Sequence, residues 1–199
     1  MGLLTEGAPC FVELDGGEVP VNTDWRVWVT VWQLLEDQAF DPCEKAAAVL
    51  ALAYPEGEPF DEAMRRPNDA LDAAMSFLRR EQDGVPPRPM TSSERRLRNV
   101  RLFDWEYDAP RIASDFQREY GIDLTDEGTE MHWYRFMALF NGLGDQSRIV
   151  QAISIRAADL DSEKLGKEER KALRERKMAV MLPAKTQEEA ARNRKIRGV

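Results

Sequence analysis

Residues 131–144, MHWYRFMALFNGLG, form an almost unbroken apolar and aromatic run. At helical spacing Met131, Tyr134 and Ala138 share one side, and Trp133, Phe136, Met137 and Phe140 share another. His132 and Arg135 are the polar interruptions. A helix that is apolar nearly all round has to be covered from several sides. The run therefore predicts a central helix over about 126–141, ended by Asn141-Gly142-Leu143-Gly144, and demands enough further elements to surround it.

Those elements read mostly as helices. In NTDWRVWVTVWQLLED two periods compete. Val27, Val29 and Val31 alternate as in a strand, whereas Arg26, Thr30, Gln33 and Asp37 make a polar helical stripe opposite Trp25, Trp28, Trp32 and Leu35. The helical reading places an element at about 24–37, capped by Asn22 or Thr23. Asp41-Pro42-Cys43-Glu44 sets out an N-cap carboxylate, a proline at the first position and a glutamate at the third, and Pro55 stops that helix. A third helix is expected over 68–80 with Ala70, Leu71, Ala74, Met75 and Leu78 inward. A fourth, at about 109–120, places Ile112, Phe116 and Tyr120 on one face, with Gly121 suited to a left-handed cap. Asp145 is positioned to cap Gln146–Ala157, and KEERKALRERKMAVML makes a last long helix stopped by Pro183.

Two stretches differ. In CFVELDGGEVPVN, Phe11–Leu14 and Val19–Val21 flank Asp15-Gly16-Gly17, whose glycines supply the positive φ of a tight hairpin, and Pro20 confines its strand to an edge. Residues 83–100, whose prolines and Ser pair are followed within the segment by Arg95, Arg96 and Arg98, read as a linker or mobile loop. The expectation is a mainly α chain: a compact multi-helix domain at 1–183 with a small N-terminal β-hairpin, then a basic tail at 184–199. That tail has a capping signal at Thr186 and Glu189 but no apolar stripe, so it should be disordered or only transiently helical when alone.

Charge sharpens the picture. Residues 163–199 hold 12 Lys and Arg against 6 Asp and Glu, leaving 16 against 30 for residues 1–162. The body is thus about −14 and the C-terminal segment about +6. A net charge of −8 argues against a protein that coats nucleic acid. No run is long and apolar enough for a membrane span. The opening MGLLTEGAP has no basic n-region or apolar h-region, which predicts no secretion signal. Cys10 and Cys43 suit two reduced thiols better than a zinc cage or a redox pair.

Candidate chemistry is scarce. His132, the only histidine, has Gly128 and Phe136 at i±4, where a second metal ligand would be wanted. Neither cysteine sits in a recognisable nucleophile setting, and no phosphate-cradling glycine motif occurs. Glu168-Glu169 and Glu188-Glu189 read as solvated helical faces. The sequence therefore predicts a non-enzyme with no catalytic, metal or cofactor residues, and a structural place for His132 at the edge of the core helix.

The segments VPVNTDWRVWVTVWQLLED, RLFDWEYDAPRIASDFQREYGIDLTD with MHWYRFMALFNGL, IVQAISIRAADL and ERKALRERKMAVMLP, in this order, resemble the bacteriophage gene-product-fifteen family. The resemblance covers about residues 1–183, and its most specific part is the YGIDL…HWYRFMALFNGL block. The linker at 83–100 is longer and richer in proline than the family pattern, and the basic tail extends its usual end. Members usually lie in long-tailed phages and prophages, between the genes for the major tail protein and the tape measure protein. The resemblance implies no catalytic residues. By position it implies a tail assembly chaperone that binds the tape measure protein in the host cytoplasm and is absent from the mature virion, with a second tail assembly chaperone or another copy of itself as further partners. Two other readings stay open: a structural component of the tail or neck, and a nucleic-acid-binding regulator using the arginines after 94 and the final basic segment.

For the partner surface, the stripe of Trp25, Trp28 and Trp32 is the candidate if it lies exposed. Tryptophans at such spacing more often build a core. A core location shifts the expectation to Arg192, Arg194, Lys195 and Arg197.

Overall fold

The computed structural model describes residues 7–80, 97, 100–162 and 165–198. Nearly all of the Pro-rich segment at 83–100, including Arg95, Arg96 and Arg98, lies outside the described residues. Among those described, the elements are β1 (Phe11–Leu14), β2 (Gly17–Pro20), α1 (Trp25–Glu36), α2 (Pro42–Ala53), α3 (Glu58–Arg65), α4 (Pro67–Leu78), α5 (Ala109–Tyr120), α6 (Trp133–Asn141), α7 (Arg148–Ala157), α8 (Lys167–Ala179) and α9 (Gln187–Arg197). The chain is mainly α with one antiparallel hairpin near its start, as the periodicity predicts. Its contacts group residues 1–88 with 127–141 as one unit, and 89–126 with 142–199 as another. No helix among the described residues is long and apolar enough to cross a membrane.

In the first unit the hairpin turns on Asp15 and Gly16, with φ of 53° and 80°. Two consecutive positive φ values match the twist of the flanking strands, so Gly17 already pairs with Leu14 and the turn is one residue shorter than expected. The helical stripe wins over the alternating valines in α1. Its N-cap is Asp24, which accepts the Arg26 amide at 2.7 Å. Asn22 and Thr23, the expected caps, are engaged elsewhere. Asn22 offers its carbonyl to the Trp28 indole at 2.7 Å, and the Thr23 carbonyl accepts the Trp133 amide at 2.7 Å. The capping box of α2 forms as read, with Asp41 and Glu44 bonding reciprocally.

The central helix starts at Trp133 rather than near 126. The preceding backbone is paired instead: the Trp25 amide donates to the Met131 carbonyl at 3.0 Å, Asp24 and His132 form a bridge, and Arg26 donates to the Thr129 carbonyl at 2.7 Å. A segment whose carbonyls serve a distant helix start cannot also close helical turns. Around α6 the rings of Trp28 and Phe77 lie 4.8 Å apart, Phe77 and Tyr134 4.9 Å, and Trp25 stacks on Phe136 at 4.7 Å. Phe77 is fully buried and replaces Leu71 and Met75, which are half-buried, as the inward side of α4. The polar ends of two buried rings are satisfied: the Trp133 indole donates to the Leu78 carbonyl at 3.0 Å, and the Tyr54 hydroxyl to the Ala70 carbonyl at 2.7 Å. Burial pushes the Tyr54 phenol up to about 12.

The second unit is organised around buried aspartates. Asp115, on α5, accepts the Arg148 and Ile149 amides at 3.1 and 2.8 Å, so α7 is capped from another helix and not by Asp145. Gly121 closes α5 with φ of 67°, as expected. The segment 184–199, expected to be disordered or transiently helical, forms α9. Thr186 accepts the Glu189 amide at 3.1 Å at its start, and Gly198 is left-handed at its end.

The aromatic cluster yields a direct prediction. Phe77→Ala should cost about 3–5 kcal/mol, whereas Phe40→Ala, at a side chain 46% exposed, should change stability by less than about 0.5 kcal/mol. Urea unfolding followed by tryptophan fluorescence checks both, because Trp25, Trp28, Trp32 and Trp133 all lie in the first unit.

Candidate partner-binding site

His132 is the N-terminal cap of α6. Its Nδ1 accepts the Tyr134 amide at 3.0 Å, and its Nε2–H donates to the Pro9 carbonyl at 2.9 Å. These two partners select the neutral ring with the proton on Nε2. Both nitrogens are occupied by backbone groups, so no lone pair is presented to an ion or a nucleophile. Burial lowers the imidazole pKa below its ordinary value, against a smaller upward pull from the Pro9 carbonyl. Among the described residues no group of three or more His, Cys, Asp or Glu is placed to hold a metal ion.

The tryptophan stripe is not an open face. Trp28 is fully buried, and Trp25 and Trp32 are half-buried. The indole nitrogens of Trp25 and Trp32 are themselves shielded and meet no acceptor among the described residues. Arg26 lies over the Trp25 ring at 4.8 Å.

The basic segment is presented differently. Helix α9 has no fully buried residue. Ala190 and Ile196 are half-buried on its inner side, and side-chain hydrogen bonds add to that small apolar contact. Arg101 grips the Glu189 carboxylate with Nε and Nη2, both at 3.0 Å, while its Nη1 bonds Asp104 and its Nη2 the Pro183 carbonyl. Asn193 donates to the Leu182 carbonyl at 3.0 Å, and Lys195 pairs with Asp161 at 2.8 Å. The hydrogen bonds from Arg101 hold the Glu189 carboxyl below its ordinary value, against the cost of burial. For Asp104, burial raises the pKa, but Lys185, the Tyr107 amide and Arg101 together outweigh it and the net shift is downward.

Beneath this lies a buried fork. Arg156 donates to both carboxylate oxygens of Asp108, at 2.6 and 2.9 Å, and to the carbonyls of Val180 at 2.6 Å and Leu102 at 2.9 Å. Asp108 is fully buried. Lys177 adds a bond to the Arg156 carbonyl at 2.6 Å. The network fixes the end of α8 and, through Arg101, the start of α9.

Between those two helices opens a groove of about 690 Å³, lined by Tyr107, Met178, Met181, Leu182, Pro183, Ala184, Ala190, Asn193, Arg194 and Arg197. Tyr107 and Met178 are each 42% exposed, two of the four large apolar side chains most open among the described residues. Of the basic candidates, Arg194 and Arg197 line this groove, Lys195 is tied to Asp161, and Arg192 lines a smaller neighbouring cavity with Arg101 and Glu189. The structure thus brings Arg194 and Arg197 together with Tyr107, Met178 and Met181, which sequence reasoning missed. Helix α8 ends at Ala179 and not at Pro183 as expected. Met178 in its last turn and Met181 just beyond it, three residues apart in RKMAVML, are a pattern that would have marked an apolar exit from α8.

With this geometry in hand, comparison with known proteins is decisive at the family level. The profile of the family described as Bacteriophage Gp15 protein matches residues 4–182. The chain belongs to this bacteriophage family. No curated protein and no solved structure matches it. The match ends just before Pro183, so α9 and its arginines lie beyond the part of the chain that defines this Gp15 family member.

The capping histidine gives a pH prediction. Its folded pKa is below its unfolded value, so its share of stability is complete above the unfolded value of 6.5 and is lost as pH falls through the folded pKa. Urea unfolding of wild type between pH 8 and about pH 5 should show this fall, and His132→Asn, which keeps a capping oxygen, should lack it.

Proposed function

We propose that this Gp15 family protein is a non-enzymatic tail assembly chaperone, acting in the host cytoplasm on the tape measure protein and leaving before the virion is complete. The observation that carries the reading is the family match over residues 4–182. A tape measure protein is a long, partly apolar helical chain that needs cover until the tail tube encloses it. A carrier for it requires a helical surface that accepts amphipathic segments and enough net charge to keep the complex soluble. The groove between α8 and α9, with exposed Met178 and Tyr107 beside Arg194 and Arg197, and a net charge of −8 are compatible with that role. The two occupied nitrogens of His132 favour a protein that binds over one that catalyses.

Co-expression with tape measure segments tests the proposal. The segments should co-purify with this chain and stay soluble only in its presence; absence of both effects contradicts it. Mass spectrometry of mature particles should find the tape measure protein without this chain. Its presence there in fixed stoichiometry would assign it to the finished tail instead.

A further inference from the structure

We infer that the groove between α8 and α9 is a docking site for an acidic amphipathic helix of a protein partner, its apolar side seated on Tyr107, Met178 and Met181 and its carboxylates facing Arg194 and Arg197. The inference rests on the reading that this chain binds a protein, and adds where and by what chemistry.

Three observations on this one surface converge. Six of the lining residues, Met178, Met181, Leu182, Pro183, Ala184 and Ala190, are apolar, and the large side chains of Met178 and Tyr107 stand open to solvent. Methionine is unbranched and polarisable and adapts to varied apolar partners, so an exposed Met beside an aromatic ring favours side chains over a sugar–phosphate backbone. Second, among the described residues no acidic side chain lines the groove. Like Arg174, Arg176 and Arg192, Arg194 and Arg197 have no ion-pair partner among the described residues, but of these only Arg194 and Arg197 line the groove. Arg101, Arg111, Arg118, Arg156, Lys185 and Lys195 are each paired with a carboxylate of the same unit. Two guanidinium groups left open in a protein with surplus acid mark a place where charge complementarity is still to be supplied. Third, the charge is divided between the units. Residues 1–88 and 127–141 carry 8 Lys and Arg against 19 Asp and Glu, or −11. Residues 89–126 and 142–199 carry 20 against 17, or +3. An acidic segment is therefore attracted to the second unit and repelled by the first, which steers it to this groove.

The form of the occupant follows from the walls. The only sheet among the described residues is the hairpin of the first unit, so the described part of the second unit offers no strand edge to extend. Two helices with a cleft between them take a third helix by its apolar side.

Fluorescence anisotropy with labelled synthetic peptides of roughly 18 residues, long enough to become helical on a surface, tests the assignment on the full-length chain. One peptide has a Leu face and a Glu face, a second carries Lys for Glu, and a third Ser for Leu. The Glu–Leu peptide should bind at least about tenfold more tightly than either control. Met178→Glu should weaken it about tenfold, and Arg194→Glu with Arg197→Glu should reverse the preference toward the Lys peptide, with circular dichroism showing the helices intact. Equal affinity for Glu and Lys peptides, or affinity unmoved by both variants, overturns the assignment, as does no binding. Self-association in sedimentation that the same variants abolish would give the groove to a second copy. Stronger competition by a short DNA duplex would give it to nucleic acid. If tape measure segments still co-purify with the variants, the groove assignment fails while the chaperone reading stands.

Discussion

The fork between Arg156 and the buried Asp108 is the interaction on which the second unit depends. Two charges out of water are costly unless nearly every hydrogen-bonding group is matched. Here the guanidinium serves both carboxylate oxygens and two carbonyls, and the carboxylate takes further bonds from Arg111 and the Asp104 amide. The result is directional in a way that apolar contact is not. Leu102, Val180 and α7 are held at one guanidinium, and the direction in which the chain leaves α8 is set before α9 begins.

The first unit reaches order by another route. Its centre is a set of stacked and tilted rings about Phe77, Trp28, Trp25, Tyr134 and Phe136, and its polar atoms mostly finish bonds that the rings leave open. The lone histidine belongs to this economy: it closes the start of α6 and ties it to Pro9. One half is thus packed by area and quadrupole and the other by carboxylate and guanidinium.

What was legible in the sequence was local. The Asp41–Glu44 box, Gly121, the Asp15-Gly16 turn and the limits of α5 depend on neighbours within four residues, and motif reading found them. What was hidden depends on distant partners. The start of α6 is moved by backbone bonds to residues 23–25, and the cap of α7 is supplied by Asp115. Helix α3 starts after Gly57, with φ of 94° and no side-chain cap, so it lacks the capping signal that marks α2. Helix α9 is the clearest case. A polar segment with a capping signal but no apolar stripe reads as either transiently helical or disordered, because the sequence does not reveal that Arg101 is placed to bond Glu189. The candidate site divides likewise: Arg194 and Arg197 were visible as a charge run, while Tyr107 and Met178 acquire meaning only when the fork places them beside it.

Helix α9 has no fully buried side chain and is tied down by hydrogen bonds from Arg101 to Glu189, Asn193 to Leu182 and Lys195 to Asp161. The Arg101 bonds hold its start, and the groove exists only while the helix is folded. Amide hydrogen exchange measured segment by segment in wild type and in Arg101→Met tests this most directly. The account predicts that residues 187–197 lose protection in the variant while α5 and α7 keep theirs. Unchanged protection across 187–197 would contradict it, and so would equal loss throughout the second unit.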